Sequence, residues 1–347
     1  MAAYTTIDDP EAYFQTVIYT GNGSTQSITL PGTTDMQPDM VWFKRRDDTD
    51  SHKVVDAVRG VTKRIIPDTT AAEVTDDDVL TSFNSDGFSL GDDSSSNASS
   101  ASHVAWCWKA GTTSGIAGSP SITPSSYSFN QTAGFSIIAY TGTATNATLP
   151  HGLGVAPHFM VTKRLNASQL WTIYTQTLGG TKILALDTAD AAVTASNKWN
   201  DTNPTSTLLS IGDGDDTNSS SAPFILYCFT SIQGFSKFGS YVGNGNADGT
   251  FVYLGFRPAY VMLKWTTGGQ NWFMFDSKRS PFNVNTKNLY ADESGVEGTA
   301  DRNDFLSNGF KIRESGAGEN GSGNIYTYLA FAEAPFVNSN GVPCNAR

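Results

Sequence analysis

The sequence is poor in cysteine, histidine and charge, and each shortage narrows what the protein can be. Its three cysteines include no CxxC pair, which excludes a zinc site built on that motif. Its four histidines form neither HExxH nor any other paired metal spacing. We therefore predict no metal, no cofactor and no catalytic histidine, and we expect Cys107 and Cys228 to be buried free thiols.

Long apolar runs are also missing. No segment approaches the roughly 18 apolar residues of a membrane helix, and the opening MAAYTTIDDPEAYF has neither part of a signal peptide. A net charge of −11 repels nucleic-acid phosphates and anionic lipid. We expect a protein made in a cytoplasm, with no nucleic-acid partner and no membrane insertion.

Glycine and aromatic residues are abundant instead. The chain has 33 Gly, 20 Phe, 13 Tyr and 7 Trp, while only 16% of its residues are charged. Bulky β-favouring residues separated by turn-forming residues are typical of strands, and no window has sustained helical periodicity. The composition predicts an all-β protein.

One pattern occurs three times along the chain. Each copy has an aromatic residue and a glycine turn, then a proline, and then a hydrophobic strand that ends in lysine. The turns are Tyr19–Gly21, Tyr140–Gly142 and Tyr241–Gly243, and the strands follow Pro38, Pro157 and Pro258. Fourteen positions after each proline stand His52, Trp171 and Trp272. The chain is therefore a triplication.

A period near 100 residues is too long for a solenoid and suits a complete small domain. Short strands with frequent turns favour three tandem antiparallel β-sandwich domains, jelly-roll- or lectin-like, in a row along the chain. The sequence leaves open whether these domains form a straight rod or a compact cluster. The predicted boundaries are an N-terminal segment 1–12, repeat 1 at 13–109, a Gly/Ser/Pro linker at 110–133, repeat 2 at 134–232, repeat 3 at 233–336, and a C-terminal tail at 337–347.

Two sets of residues are candidates for a binding site. Trp199 and Trp265 lie outside the repeated columns near predicted loops, so we expect exposed rings that contact a ligand or a subunit. The acidic stretch GDGDD holds Asp213, Asp215 and Asp216, which resemble half a calcium loop but lack its closing glutamate. We interpret this stretch as a solvated hairpin, with a calcium site as the alternative.

Other polar residues have a structural interpretation. Asp56 and Asp276 occupy matching positions, but repeat 2 has Thr175 there, so we predict hydrogen bonding rather than catalysis. His52 stands where the other two repeats have tryptophan, so we expect its ring to be half-buried in the packing of the domain. Since no G-x-S-x-G elbow or other catalytic set is present, we predict that the protein is not an enzyme. A glycan-degrading enzyme with a carboxylate pair is a less favoured alternative.

Several motifs resemble a repeat-bearing protein family of marine tailed bacteriophages, of cyanophage and pelagiphage type. They include PDMVWFKRR, LTSFNSDGFSLG and VAWCWKAG in the first third, and GFSKFGSYVGNGNADGTFVYLGFRPAYVMLK and DFLSNGFKIR in the last. The resemblance covers nearly the whole chain, although repeat 2 lacks the S-[ND]-x-G-F motif. It implies a virion structural or tail-fibre protein and assigns no functional residue.

The sequence thus predicts a virion component, most simply a tail fibre or another receptor-contacting appendage. Its expected partners are other virion proteins, further copies of itself in a trimer, and a host surface glycan or protein. A capsid decoration or head-fibre protein, anchored by residues 1–12, is the alternative.

Overall fold

The computed structural model describes residues 4–345. Within that range almost all regular structure is antiparallel β, with one 3-10 turn, Pro10–Ala12, and three single-turn α-helices. The predicted all-β class is confirmed. The three repeats are visible as three large sheets, each with its own arrangement of short flanking strands.

Repeat 1 forms a six-stranded sheet in the order β1-β9-β3-β4-β5-β6 and a small sheet in the order β2-β8-β7. Its elements are β1 Phe14–Thr20, β2 Gln26–Ile28, β3 Met40–Arg45, β4 Lys53–Asp56, β5 Lys63–Ile65, β6 Val74–Thr75, β7 Ser82–Asn84, β8 Gly87–Leu90, α1 Ser94–Asn97 and β9 Ser102–Trp108.

Repeat 2 forms a seven-stranded sheet in the order β10-β11-β18-β13-β14-β15-β16 and the pair β12-β17. Its elements are β10 Ser126–Asn130, β11 Phe135–Thr141, β12 Ala147–Pro150, β13 Phe159–Arg164, β14 Thr172–Thr175, β15 Lys182–Ala185, β16 Val193–Thr194, α2 Ser196–Trp199, β17 Leu208–Ile211, α3 Asp215–Asn218 and β18 Pro223–Phe229.

Repeat 3 joins the corresponding strands into one eight-stranded sheet, β19-β26-β21-β22-β23-β24-β25-β20. Its elements are β19 Ser236–Val242, β20 Phe251–Tyr253, β21 Phe256–Trp265, β22 Phe273–Asp276, β23 Asn285–Tyr290, β24 Gly298–Leu306, β25 Gly309–Ile312 and β26 Ile325–Pro335. In every repeat the closing strand lies between the opening strand and the proline strand.

The proline strands are apolar on both faces because both faces are covered. Successive side chains of a strand point to opposite sides. In β3, Met40 and Trp42 enter a core that all three repeats share, whereas Val41 and Phe43 enter a second core within repeat 1. In β13, Phe159 enters the shared core and Met160 enters the second core of repeat 2.

The shared core shows that the repeats are not arranged in a row. Phe14 of repeat 1 stacks on Phe331 of repeat 3 at 4.9 Å, and Phe159 of repeat 2 contacts Phe238 of repeat 3 at 6.1 Å. Rings and aliphatic side chains from all three sheets surround a cavity of about 40 Å³ with an almost entirely apolar lining. Of the two arrangements that the sequence left open, a straight rod or a compact cluster, the repeats adopt the cluster, because their sheets cover one another's apolar faces.

Three equivalent backbone hydrogen bonds close the arrangement into a ring. The N–H of Glu73 in repeat 1 donates to Leu165 in repeat 2, and Ala192 in repeat 2 donates to Thr266 in repeat 3. Glu297 in repeat 3 donates back to Arg46 in repeat 1. Each N···O distance is 2.8 Å. The molecule therefore has approximate threefold symmetry within one chain.

The predicted linker and terminal segments are partly built into the fold. Residues 126–130 of the 110–133 linker form β10, an added edge strand of repeat 2. In the N-terminal segment, Ile7 is buried in the shared core and Thr5 donates to Gln233 of repeat 3 at 2.8 Å. In the tail, Ser339 donates its N–H to Asp8. The N-terminal segment, expected to anchor the alternative virion role, is docked on repeat 3.

Candidate functional site: an exposed aromatic loop in repeat 3

The two tryptophans predicted to be exposed are not free rings. Trp199 is 0% exposed, and its ring contacts Tyr174 at 6.0 Å in the second core of repeat 2. Trp265 is half-buried beneath the backbone of Gly268 and donates to the Thr267 hydroxyl at 2.9 Å. The prediction for Trp199 is wrong because the helical turn α2 directs this side chain inward.

The acidic stretch predicted as a hairpin or calcium loop holds a buried ion pair. Asp216 accepts a hydrogen bond from Thr172 at 2.8 Å and pairs with the ammonium group of Lys198. Asp213 and Asp215 point to solvent at the start of α3. Among residues 4–345, no three His, Cys, Asp or Glu side chains form a group that could hold a metal ion. Lys198 therefore occupies the place that a cation would take at Asp216.

His52 packs as the sequence predicts and also joins two repeats. Its Nδ1 accepts from Trp42 Nε1 at 2.8 Å, so Nε2 carries the proton and donates to the Tyr290 carbonyl at 2.9 Å. Burial lowers the pKa of His52 to about 3. The ring is therefore neutral, and both of its nitrogens are used structurally.

The tryptophans in the same column make equivalent contacts. Trp171 of repeat 2 donates to the Ile66 carbonyl of repeat 1 at 3.1 Å, and Trp272 of repeat 3 donates to Ala185 of repeat 2 at 2.8 Å. With His52 reaching repeat 3, each repeat donates one ring N–H to the backbone of the preceding repeat. This column is an interface element of the ring.

Two of the three lysines that end the proline strands are also buried interface elements. Lys163 donates to the Thr70 carbonyl of repeat 1 at 2.7 Å, and Lys264 donates to Ala189 of repeat 2 at 2.6 Å. Burial lowers the pKa of both lysines, and of Lys44, to about 8. Because the ammonium groups of these lysines donate to backbone carbonyls of neighbouring loops, the lysines stabilise the positions of those loops.

Asp56 and Asp276 have the hydrogen-bonding role that the sequence predicts. Asp56 accepts from the Tyr227 hydroxyl of repeat 2 at 2.7 Å. Asp276 accepts from Trp106 Nε1 of repeat 1 at 3.1 Å. Each aspartate also pairs with a buried arginine three positions later, Arg59 or Arg279.

Repeat 2 lacks this aspartate for a physical reason. At the junction of repeats 2 and 3, Thr175 stands where the aspartates do. The closing-strand position that carries Trp106 or Tyr227 is occupied by Leu329, which has no polar hydrogen. A carboxylate occurs only where the neighbouring repeat supplies a donor.

Three buried asparagines explain why the glycine turn recurs. Asn97, Asn218 and Asn320 each accept a backbone N–H from the turn and donate to two or more carbonyls. The turn backbone passes so close that a Cβ at Gly142 would lie 2.2 Å from the Ser219 carbonyl oxygen. Only glycine fits this contact.

One surface feature departs from the threefold pattern. Asp56 and Thr62 of repeat 1 are six positions apart, as are their counterparts in repeat 2, whereas Asp276 and Thr286 of repeat 3 are ten apart. The four additional residues form a loop that carries Phe282. At 78% exposure, Phe282 is the most exposed large hydrophobic residue in the described range.

An open groove of about 410 Å³ lies beside Phe282. Its lining is mixed polar and apolar: Arg279, Ser280, Pro281, Asn283, Val284, Thr286 and Asp301. The Arg279 guanidinium forms the floor, where it is buried and paired with Asp276. An apolar ring next to hydroxyl, amide and carboxylate groups can contact both faces and edges of a polar ring such as a sugar.

The loop around Phe282 is fixed by its neighbours. Asn283 Nδ2 donates to the Phe305 carbonyl, and its Oδ1 accepts the Phe305 N–H, both at 2.8 Å. The Ser280 hydroxyl accepts from the backbone of Thr286 and Lys287 at 3.2 and 3.1 Å. A ring presented on a fixed loop loses little entropy on binding.

A second groove, of about 380 Å³, lies at the junction of repeats 1 and 2. It is lined by Asp39, Ala57, Val58, Thr113 and Ser125–Ser128. Burial raises the pKa of the Asp39 carboxyl, which accepts the Ala110 N–H at 2.8 Å. This groove lacks an aromatic ring exposed like that of Phe282.

The sequence interpretation missed Phe282 because it ranked aromatic residues by type and by distance from the repeated columns. The available signal was the four-residue insertion, since a residue outside the shared framework is free to face solvent. No helix in residues 4–345 has the length and apolar character needed to cross a membrane.

The fold and the loop define a closed, three-repeat β protein with an exposed aromatic loop. The chain belongs to a family described as a domain of unknown function (DUF7483), which matches residues 9–335. A search of curated proteins found no match.

Proposed function

We propose that the protein is a non-enzymatic structural component of a tailed bacteriophage virion, in a tail fibre or another receptor-contacting appendage. The sequence resemblance to marine phage proteins supports this role. The main support for a role in contacting a receptor is Phe282. Its side chain is exposed on a fixed loop, and the loop is an insertion that the closed three-repeat fold does not require.

Recognition would take place at the groove beside Phe282. The ring supplies apolar area that is already exposed in the free protein, and Thr286 and Asp301 supply hydrogen-bonding groups at the groove edge. Such a site suits a host surface glycan or protein bound weakly by each copy. Several copies on one particle would then raise the overall avidity.

The contact is tested by binding purified protein to host cells. A Phe282→Ser variant is expected to lose most binding, whereas Val193→Ser, at another exposed apolar position, should bind like the parent protein. Equal binding by the Phe282 variant would contradict a role for the loop. Labelling this chain on purified virions and imaging them tests its position, and label confined to the capsid shell would contradict the appendage.

One observation favours capsid decoration or a head fibre as the second candidate. A fibre trimer could be held together by apolar strand faces packed between subunits, but here these faces are buried within one chain, where Phe159 and Tyr260 belong to the same core. The trimer therefore remains a prediction, and exposed apolar strand faces do not support it. A folded monomer that binds capsids lacking tails would favour decoration.

A further inference from the structure

Strand β20 ends the large sheet of repeat 3 and exposes two aromatic rings. Phe251 is 43% exposed and Tyr253 is 48% exposed, while Val252 between them is buried. In the strand order, β20 has β25 as its neighbour on one side and is the last strand on the other. It is therefore an apolar sheet edge, a feature that proteins generally cover or charge.

The backbone of Phe251 is directed toward that open edge. The Thr250 carbonyl accepts from Ile312, and Leu254 N–H donates to Asn308, so Thr250 and Leu254 face β25. Since backbone groups alternate along an antiparallel strand, the N–H and C=O of Phe251 point away from β25. The Tyr253 carbonyl also points outward, but it accepts from Lys237 at 2.6 Å.

Repeat 2 shows what covers the equivalent edge. Strand β12 pairs with β17 as β20 pairs with β25, and Thr148 corresponds to Phe251. The linker residue Ile122 donates its N–H to the Thr148 carbonyl at 3.1 Å. The Ser121 hydroxyl accepts the Thr148 N–H at 2.7 Å. Ile122 is 6% exposed and belongs to the second core of repeat 2.

We propose that the β20 edge binds an extended segment of another polypeptide by strand addition, in the way that Ser121–Ile122 cover β12. The segment would place a small hydroxyl residue and then a branched apolar residue beside Phe251, with its apolar side chain against the exposed rings. Because Lys237 already donates to the Tyr253 carbonyl, the added segment would form its backbone hydrogen bonds with Phe251 only. This inference does not depend on the Phe282 loop.

The test uses a labelled peptide with the linker sequence of residues 118–124, GSPSITP, and the full-length protein. Fluorescence anisotropy should show saturable binding. Phe251→Pro removes the outward N–H from an edge strand that tolerates proline, and repeat 2 already has Pro150 at the Tyr253 position. We expect this variant to bind at least about fivefold more weakly, because one hydrogen bond contributes about 1 kcal/mol and the aromatic ring is lost as well.

Phe251→Ser distinguishes the backbone from the ring. It matches Ser27 of repeat 1, keeps the N–H and removes the aromatic area, so it should lose less binding than Phe251→Pro. Val193→Ser, at an exposed apolar position of repeat 2, should bind like the parent protein, and unchanged thermal unfolding confirms that each variant folds. Absence of peptide binding, equal losses in both Phe251 variants, or self-association that Phe251→Pro abolishes would each overturn the proposal.

Discussion

At the scale of single residues, the position of His52, Trp171 and Trp272 sets how each repeat meets its neighbour. All three rings are buried and donate one N–H to a carbonyl of the preceding repeat. Tryptophan does so at any pH, whereas histidine keeps the arrangement only while it is neutral. The junction of repeats 3 and 1 is therefore the one whose ring contact depends on protonation.

Acid should destabilise the protein through His52. The unfolded ring protonates near its ordinary pKa of 6.5, whereas the folded ring has a pKa of about 3. Between these values the unfolded chain binds a proton that the folded chain does not, so the free energy of unfolding falls as pH falls from 6.5 toward 3. The expected slope from this residue is about 1 kcal/mol per pH unit.

Urea unfolding between pH 7 and pH 4 measures this slope. A His52→Gln variant should be less stable at pH 7, because the Trp42 and Tyr290 contacts change, but its stability should fall less steeply with acid. A parallel pH dependence in the two proteins would rule out His52 as a source of acid sensitivity.

Replacing the asparagine that holds a glycine turn should be among the single substitutions that most lower the free energy of unfolding. Asn218 is 0% exposed, donates to the carbonyls of Thr145 and Gly212, and accepts the Thr143 N–H. Asn218→Ala leaves these groups without their partner and should lower the free energy of unfolding by about 2–4 kcal/mol.

Asn166→Ala is the matched control, because Asn166 is exposed and its Oδ1 accepts a hydrogen bond from the side chain of Arg164 at 2.8 Å. Its effect should stay within about 0.5 kcal/mol. Similar losses in the two alanine variants, measured by chemical denaturation, would contradict the structural role of the turn asparagine.

At the scale of elements, the sequence predicted the proline strands, the closing strands and the turns well. Met40–Lys44 and Tyr260–Lys264 are buried on both faces, as their unbroken apolar character indicated. The cover on the second face was not predictable, because an apolar residue packs equally well against its own domain or a neighbouring repeat. The burial of Trp199 was missed for another reason, because its polar, loop-like sequence context did not reveal the helical turn α2 that directs the ring inward.

The buried ion pair at the end of β22 offers a test of how the junctions between repeats are built. Asp276 and Arg279 are both 0% exposed at their side chains, and the carboxylate also accepts from Trp106. Asp276→Thr leaves the Arg279 charge buried without this partner, and should cost about 3–5 kcal/mol.

Repeat 2 supplies the compensating change, because it has Leu178 at the position of Arg279. The double variant Asp276→Thr/Arg279→Leu removes both charges and should be more stable than Asp276→Thr alone. Denaturant unfolding of the single and double variants measures the difference. A double variant less stable than Asp276→Thr would contradict the interpretation of the pair as a matched unit.

At the scale of the whole molecule, the closed arrangement of the three repeats places one face of each large sheet against the other two sheets. Trp42, Phe159 and Tyr260, one from each repeat, line the same central cavity. A repeat removed from the chain would expose its central face to water, at a cost of about 25 cal/mol for each Å² of apolar surface. The three repeats therefore depend on one another for stability, although each has its own complete sheet.

This dependence predicts a single cooperative unfolding transition. Circular dichroism and tryptophan fluorescence should give coincident curves for the full chain. An excised repeat 2, residues 126–232, should lack a cooperative transition, because Phe159, Val161 and Phe229 lose their cover. A folded excised repeat would instead support three autonomous sandwiches.

Cleavage within the exposed segment 113–115 separates the effect of contacts from that of chain connectivity. A protease site inserted there cuts the peptide bond between repeats 1 and 2 without removing any repeat. Because the shared core and the cyclic hydrogen bonds join all three sheets, the two fragments should stay together in size-exclusion chromatography and unfold in one transition. Separation of the fragments under native conditions would show that the linker, rather than the core, holds the ring closed.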